Sequence, residues 1–273
     1  MLGLATQSMM GIPGLDLQYV MDALLHFFIT GLRLGAFLLS SPIFGAKWMP
    51  LKVRTIFVIC VAVALSEQVP PIEASFLGTP AGFMMMATEI IIGLGAGITL
   101  TIWFSAMVLA GEKIASTAGL GFATLSDPNS GGSTPVVSQM MQLLLLVIFL
   151  SVDGHLMAIA MILDSYQTLP VGQSIDINIL IDTGISAAGS MFKVATMIMF
   201  PIIIVQLLVN AAIGIITRSA PQLNLFSFGF PITLMVVFLV LYMSAGVLGA
   251  SSRSLIDNAL FAMQGLLTGL AYG

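Results

Sequence analysis

The chain has 273 residues, 58% of them hydrophobic and only 7% charged, with a formal net charge of −4 and a mean hydropathy of +1.09. A soluble domain carries roughly a quarter charged residues, so this chain cannot clothe itself in a hydrated surface, and it belongs in a membrane or inside a large apolar assembly. The sparse ionisable groups exclude a nucleic-acid-binding surface, and the lone Cys60 excludes an internal disulfide or a cysteine metal cluster.

Residues 1–16 are mildly apolar, with no basic residue ahead of the apolar part and no small-residue cleavage pattern. They read as an extension or a short interfacial segment rather than a cleaved signal peptide. About 20 apolar residues span a bilayer as a helix. By that rule six candidate spans follow, at 20–41, 54–69, 80–110, 136–163, 186–217 and 231–250, with a weaker segment at 254–270. The second is short and the third and fourth are long, which argues for tilted, broken or partly extramembrane helices. Prolines 42, 50, 70, 71, 80, 135, 170, 221 and 231 punctuate the ends. Pro201 instead falls inside the fifth run, where it is expected to kink the helix and free a backbone carbonyl.

Six spans put Lys47, Lys52, Arg54, Lys113 and Arg218 on one side, which the positive-inside rule makes cytoplasmic. Asp16, Asp22, Glu73, Asp164, Asp176 and Asp182 fall on the other, with Arg253 as the basic exception. Charges within apolar runs are costly and therefore informative. Arg33, Glu89, Asp153 with His155, and Lys193 are of this kind. They read either as an ion or proton pathway or, the favoured reading, as interhelical ion pairs and polar caps. On a continuous helix Asp153 and His155 point to different sides; a break at Gly154 makes the three residues a turn instead. Gly93 and Gly97 form a GxxxG pattern that reads as a close helix contact, and Gly265 and Gly269 form a weaker one.

The stretch 111–135, GEKIASTAGLGFATLSDPNSGGSTP, is rich in glycine yet apolar in its middle. A loop crossing open water is normally polar. This one is expected to fold back as a lid or plug, with Phe122 and Leu125 as its bulk, or as a re-entrant loop with a packing role alone. HExxH, G-x-S-x-G, Walker and dinucleotide motifs are all missing, so no enzymatic activity, cofactor or metal is expected.

Several stretches together resemble one family. They are Arg33-Leu-Gly-Ala-Phe with Ser41-Pro-Ile-Phe-Gly45, Pro50 and Arg54; Gly119-Leu-Gly-Phe-Ala-Thr-Leu125 with Asp127-Pro-Asn-Ser-Gly-Gly132; Asp153-Gly-His155 with Leu169-Pro170; and Asn210 to Gly214 followed by Arg218-Ser-Ala-Pro-Gln-Leu-Asn-Leu-Phe226 and Gly229-Phe-Pro231. The chain is similar to the FliR/SctT family, export-gate subunits of flagellar and virulence type III secretion systems. The 119–124 and 218–224 stretches look more flagellar.

The resemblance implies an all-α fold of integral-membrane-type helical hairpins, with a FliP-like part at 17–185 and a FliQ-like part at 186–273. It implies assembly with FliP-like and FliQ-like subunits into a closed helical funnel that sits largely above the plane of the inner membrane. FlhB-like and FlhA-like components, membrane lipid and unfolded export substrates are the further partners, within a flagellar basal body or an injectisome. The family's plug loop maps onto Gly111–Leu125, with Gly119, Leu120, Gly121, Phe122 and Leu125 as its plug residues. Arg33, Arg54, Asp153, Arg218, Pro221 and Asn224 become assembly residues. A stand-alone secondary transporter is the competing reading; it should show paired half-repeats with midplane charges on broken helices, and no convincing internal repeat is present.

Overall fold

A computed structural model describes residues 17–46, 49–66, 69, 78–119, 135–220 and 228–272. Within them the chain is helical, in eight elements: α1 Leu17–Ser40, α2 Leu51–Leu65, α3 Pro80–Thr117, α4 Val136–Ser151, α5 Gly154–Thr168, α6 Ile177–Ser219, α7 Phe230–Met243 and α8 Ala245–Tyr272. No strand occurs among the described residues.

The central element is α3. It starts cleanly because Pro80 sits in its first turn and the Thr79 hydroxyl accepts the Gly82 N–H, a side-chain cap with a proline that needs no amide partner there. Three of its faces are cut back to glycine so that three other helices can approach. A Cβ on Gly93 would strike the Arg33 carbonyl and one on Gly97 the Ser40 hydroxyl, both on α1. A Cβ on Gly95 would lie 2.7 Å from Leu180 of α6, and one on Gly111 would lie 2.5 Å from the Ser138 Cα of α4. The Gly93/Gly97 pair thus makes a close helix contact. Gly265 of the weaker pattern faces open space, and only Gly269 approaches a neighbour, Ile179.

These contacts fix the directions. Arg33 meets Gly93 and Ser40 meets Gly97, so α1 and α3 run parallel; Gly95 meets Leu180 and Thr117 meets Asn210, so α6 runs parallel to them. The helix α2 returns antiparallel to α1, with Val58 and Ala62 beside Gly31 and the Ser66 carbonyl accepting from His26 Nε2. The pairs α4–α5 and α7–α8 also return, each bent, by 65° and 64°. Lys113 at the end of α3 and Arg218 at the end of α6 consequently lie toward the same end.

The expectation of six simple spans needs correction. Among the described residues three helices are long and apolar enough to cross a membrane, and the two bent pairs raise the number to five at most. The sixth stroke, α2, has 15 residues and reaches only ~22 Å, short of the ~30 Å hydrocarbon core. Conversely α3 and α6, with 38 and 43 residues, reach ~57 and ~64 Å. The expected loop start at Gly111 is also overturned, because α3 continues to Thr117. Gly111 is not a breaker; it is the point at which α4 crosses. The expected division at 185/186 falls inside the unbroken α6.

Candidate functional site

Two polar constructions stand out in this apolar fold. The first surrounds Arg33, which is wholly buried beside the equally buried Glu89. Arg33 Nε donates to Glu89 Oε2 at 2.8 Å and Nη2 to Oε1 at 3.1 Å, a two-pronged pair between α1 and α3. Nη1 donates to the Ser165 hydroxyl and Nη2 also to the Leu169 carbonyl, each at 2.9 Å. The guanidinium stacks 4.4 Å from the Tyr166 ring centre, and the Tyr166 hydroxyl donates to the Thr30 carbonyl at 2.6 Å. One side chain of α1 therefore holds α3 and the end of α5 together. The Leu169 carbonyl is free for this because Pro170 disfavours helical geometry at the preceding residue and ends α5 there. Taking an arginine out of water is tolerable only when its donors are met, and here four contacts and a ring meet them.

The α4–α5 elbow lies at the other end of α5. Asp153 stands at its corner in the left-handed region, φ 56°, ψ 22°, and its side chain is exposed. Gly154, by contrast, keeps an ordinary φ. Its missing side chain makes room for the Phe149 ring, which a Cβ would approach to 2.6 Å. Phe149 in turn meets Phe104 of α3 edge-on, with ring centres 5.1 Å apart. The break expected at Gly154 is present, but the strained backbone belongs to its neighbour.

The second construction is the end of α3, where the central stretch begins. Gly119 is at φ 82°, a left-handed helix exit that glycine takes without strain. Its flanking carbonyls are met from afar: Asn210 Nδ2 of α6 donates to the Thr117 carbonyl at 3.0 Å, and the Thr233 hydroxyl of α7 to the Ala118 carbonyl at 3.1 Å.

The remaining expected residues are dispersed. Arg54 donates to the Ala46 and Met49 carbonyls and so ties down the α1–α2 turn. Arg218 is exposed in the last turn of α6, where a cation complements the helix dipole. Pro201 is exposed within α6, which stays helical through it; Leu120, Gly121, Phe122, Leu125, Pro221 and Asn224 lie outside the described residues. Reading the sequence missed Thr233, Ser165 and Tyr166, whose only signal is that each is a polar group within an apolar helix, and it named Asn210 only within a family-like stretch, without its contact. Among the described residues no cluster of His, Cys, Asp and Glu is arranged to hold a metal.

Pro201 has no N–H to give the Met197 carbonyl, and Met197 is exposed. Pro201→Ala is expected to stabilise α6 by about 1–3 kcal/mol, read as a higher thermal unfolding midpoint. An unchanged midpoint would leave Pro201 a tolerated irregularity.

Helices long and apolar enough to cross a membrane, with a buried ion pair joining α1 to α3, define a protein of the helical membrane class. The family described as bacterial export proteins, family 1, matches residues 24–259. The chain belongs to that family, the FliR/SctT family. It is 33% identical over 212 residues to the flagellar biosynthetic protein FliR of Escherichia coli strain K12, covering 77% of this chain and 80% of that one. Against FliR of Pectobacterium carotovorum identity is 30% over 246 residues, covering 90% and 94%. FliR of Bacillus subtilis strain 168 is 27% identical over 255 residues, covering 91% and 96%.

Proposed function

We propose that this chain is a core subunit of a flagellar type III protein export gate, helping to form and to close the channel by which unfolded proteins cross the bacterial inner membrane. Membership of an export family and the flagellar biosynthetic role in its relatives' names support the class. The observation that carries the gate reading is the unequal covering of the long helices. The apolar window of α3 is 61% buried, whereas that of α6 is 22% buried. Ile177, Ile185, Phe192, Phe200, Leu208 and Ile216, spread along the whole of α6, all face outward. At ~64 Å, α6 is about twice as long as the hydrocarbon core, so lipid alone cannot cover that face. Sister subunits cover the remainder, a FliP-like and a FliQ-like protein, with FlhB-like and FlhA-like components joining the assembled gate in the basal body. In this reading 17–185 corresponds to one such subunit and 186–273 to the other, fused.

A channel for unfolded protein must be shut to ions at rest, and an apolar constriction does this by shedding water. The segment from Gly119 to Leu125 is uncharged and carries Phe122 and Leu125 as bulk. Deleting Gly119–Ala123 is expected to raise ion leakage several-fold in membranes that hold the assembled complex. Conductance equal to wild type would make the segment packing and not plug. Recovery of this chain alone as a stable, monodisperse protein would overturn the gate reading itself.

A further inference from the structure

The last turn of α3 has to dispose of carbonyls that the helix no longer uses. Ala118 N–H bonds to the Ile114 carbonyl and Gly119 N–H to the Ser116 carbonyl, while the Lys113 carbonyl accepts from the Ser116 and Thr117 hydroxyls. Thr117 and Ala118 close the turn. Their carbonyls are met by Asn210 of α6 and Thr233 of α7, residues 93 and 115 positions away. The Thr233 bond is dry: Ile114 and Ala115 are fully buried, Ala118 and Thr233 nearly so, and bulk water cannot readily replace that donor. Asn210 and Thr117 are half-buried.

The two donors differ in a telling way. The Thr233 hydroxyl lies 3.1 Å from the Ala118 carbonyl and 2.9 Å from the Phe230 carbonyl of its own helix, so one proton is shared between two acceptors. If α7 withdraws, the proton keeps a partner on α7 and only α3 loses one. Asn210 has no such second acceptor within its own helix. A bond with a spare acceptor can be released at little cost to one side, as suits a contact that opens and closes.

We propose that Asn210 and Thr233 are positioning residues that latch the end of α3 to α6 and α7, so that the C-terminal helices set where and in which direction the chain leaves Gly119. The consequence for export rests on the gate reading above; the latch itself does not.

The test uses the full complex in membranes. Asn210→Leu with Thr233→Val removes both donors at similar volume, Asn210→Gln with Thr233→Ser retains them, and Thr233→Val alone serves should the first pair fail to assemble. Amide hydrogen exchange at Ala118 and Gly119 is expected to quicken by about tenfold in the donor-less pair and not in the conservative pair. Potassium leakage from vesicles is expected to rise with it. Unchanged exchange overturns the latch, as does equal acceleration in the conservative pair. Faster exchange without leakage, where the Gly119–Ala123 deletion does leak, overturns the positioning role and leaves the gate reading standing. If the deletion itself does not leak, the plug reading of the segment fails and exchange alone decides the latch.

Discussion

Arg33→Ala is expected to destabilise the subunit by about 3–5 kcal/mol, because it leaves the buried Glu89 carboxylate without a counter-ion. The total stability of a typical domain is only about 5–15 kcal/mol, so recovery of the proposed complex should fall sharply in a quantitative pull-down. Arg33→Lys should not restore it. A lysine offers one compact charge, whereas Arg33 divides its donors among both Glu89 oxygens, Ser165 and the Leu169 carbonyl. The double variant Arg33→Met with Glu89→Leu separates charge from packing. Removing both charges is often neutral or better, so it should recover much of the loss, short of the share due to the unpaired Leu169 carbonyl, about 1–3 kcal/mol. Equal recovery of Arg33→Ala and wild-type complex would show that the pair contributes nothing.

Gly93→Leu should cost about 3 kcal/mol or more, at the upper end of overpacking effects. The obstacle is backbone and not a yielding side chain. A Cβ there meets the Arg33 carbonyl and comes within 2.9 Å of the Ala36 Cβ. Separating α1 from α3 at that point also pulls Arg33 from Glu89, so the two effects reinforce each other and should not add in combination. Gly265→Ala provides the contrast. Nothing lies within 4 Å of a Cβ at that position, and exchanging glycine for alanine inside a helix gains about 0.5–1 kcal/mol. Thermal unfolding of the purified complex reads both. Similar values for the two variants would mean that the GxxxG geometry at Gly93 is not limiting.

By itself the sequence determined the class of the molecule, because its determinants are local or compositional. A chain with 7% charged residues has no choice but to hide its surface, apolar runs bounded by prolines become helices, and the family-like stretches are strings of neighbouring residues. It also marked Arg33 and Glu89 as expensive, since a charge in an apolar run announces itself. Only the tertiary structure decided which of the two GxxxG patterns is used, because the patterns look alike and differ only in what crosses them. It decided that Gly111 continues a helix, since a glycine that breaks and a glycine that admits a neighbour are the same residue in one dimension. It decided that Asp153 takes the left-handed corner, because Phe149 needs the space beside Gly154. The contacts of Asn210 and Thr233 were illegible for the same reason. A polar side chain in an apolar helix announces that it needs a partner, but the carbonyls it finds lie 93 and 115 residues away and are brought there only by folding.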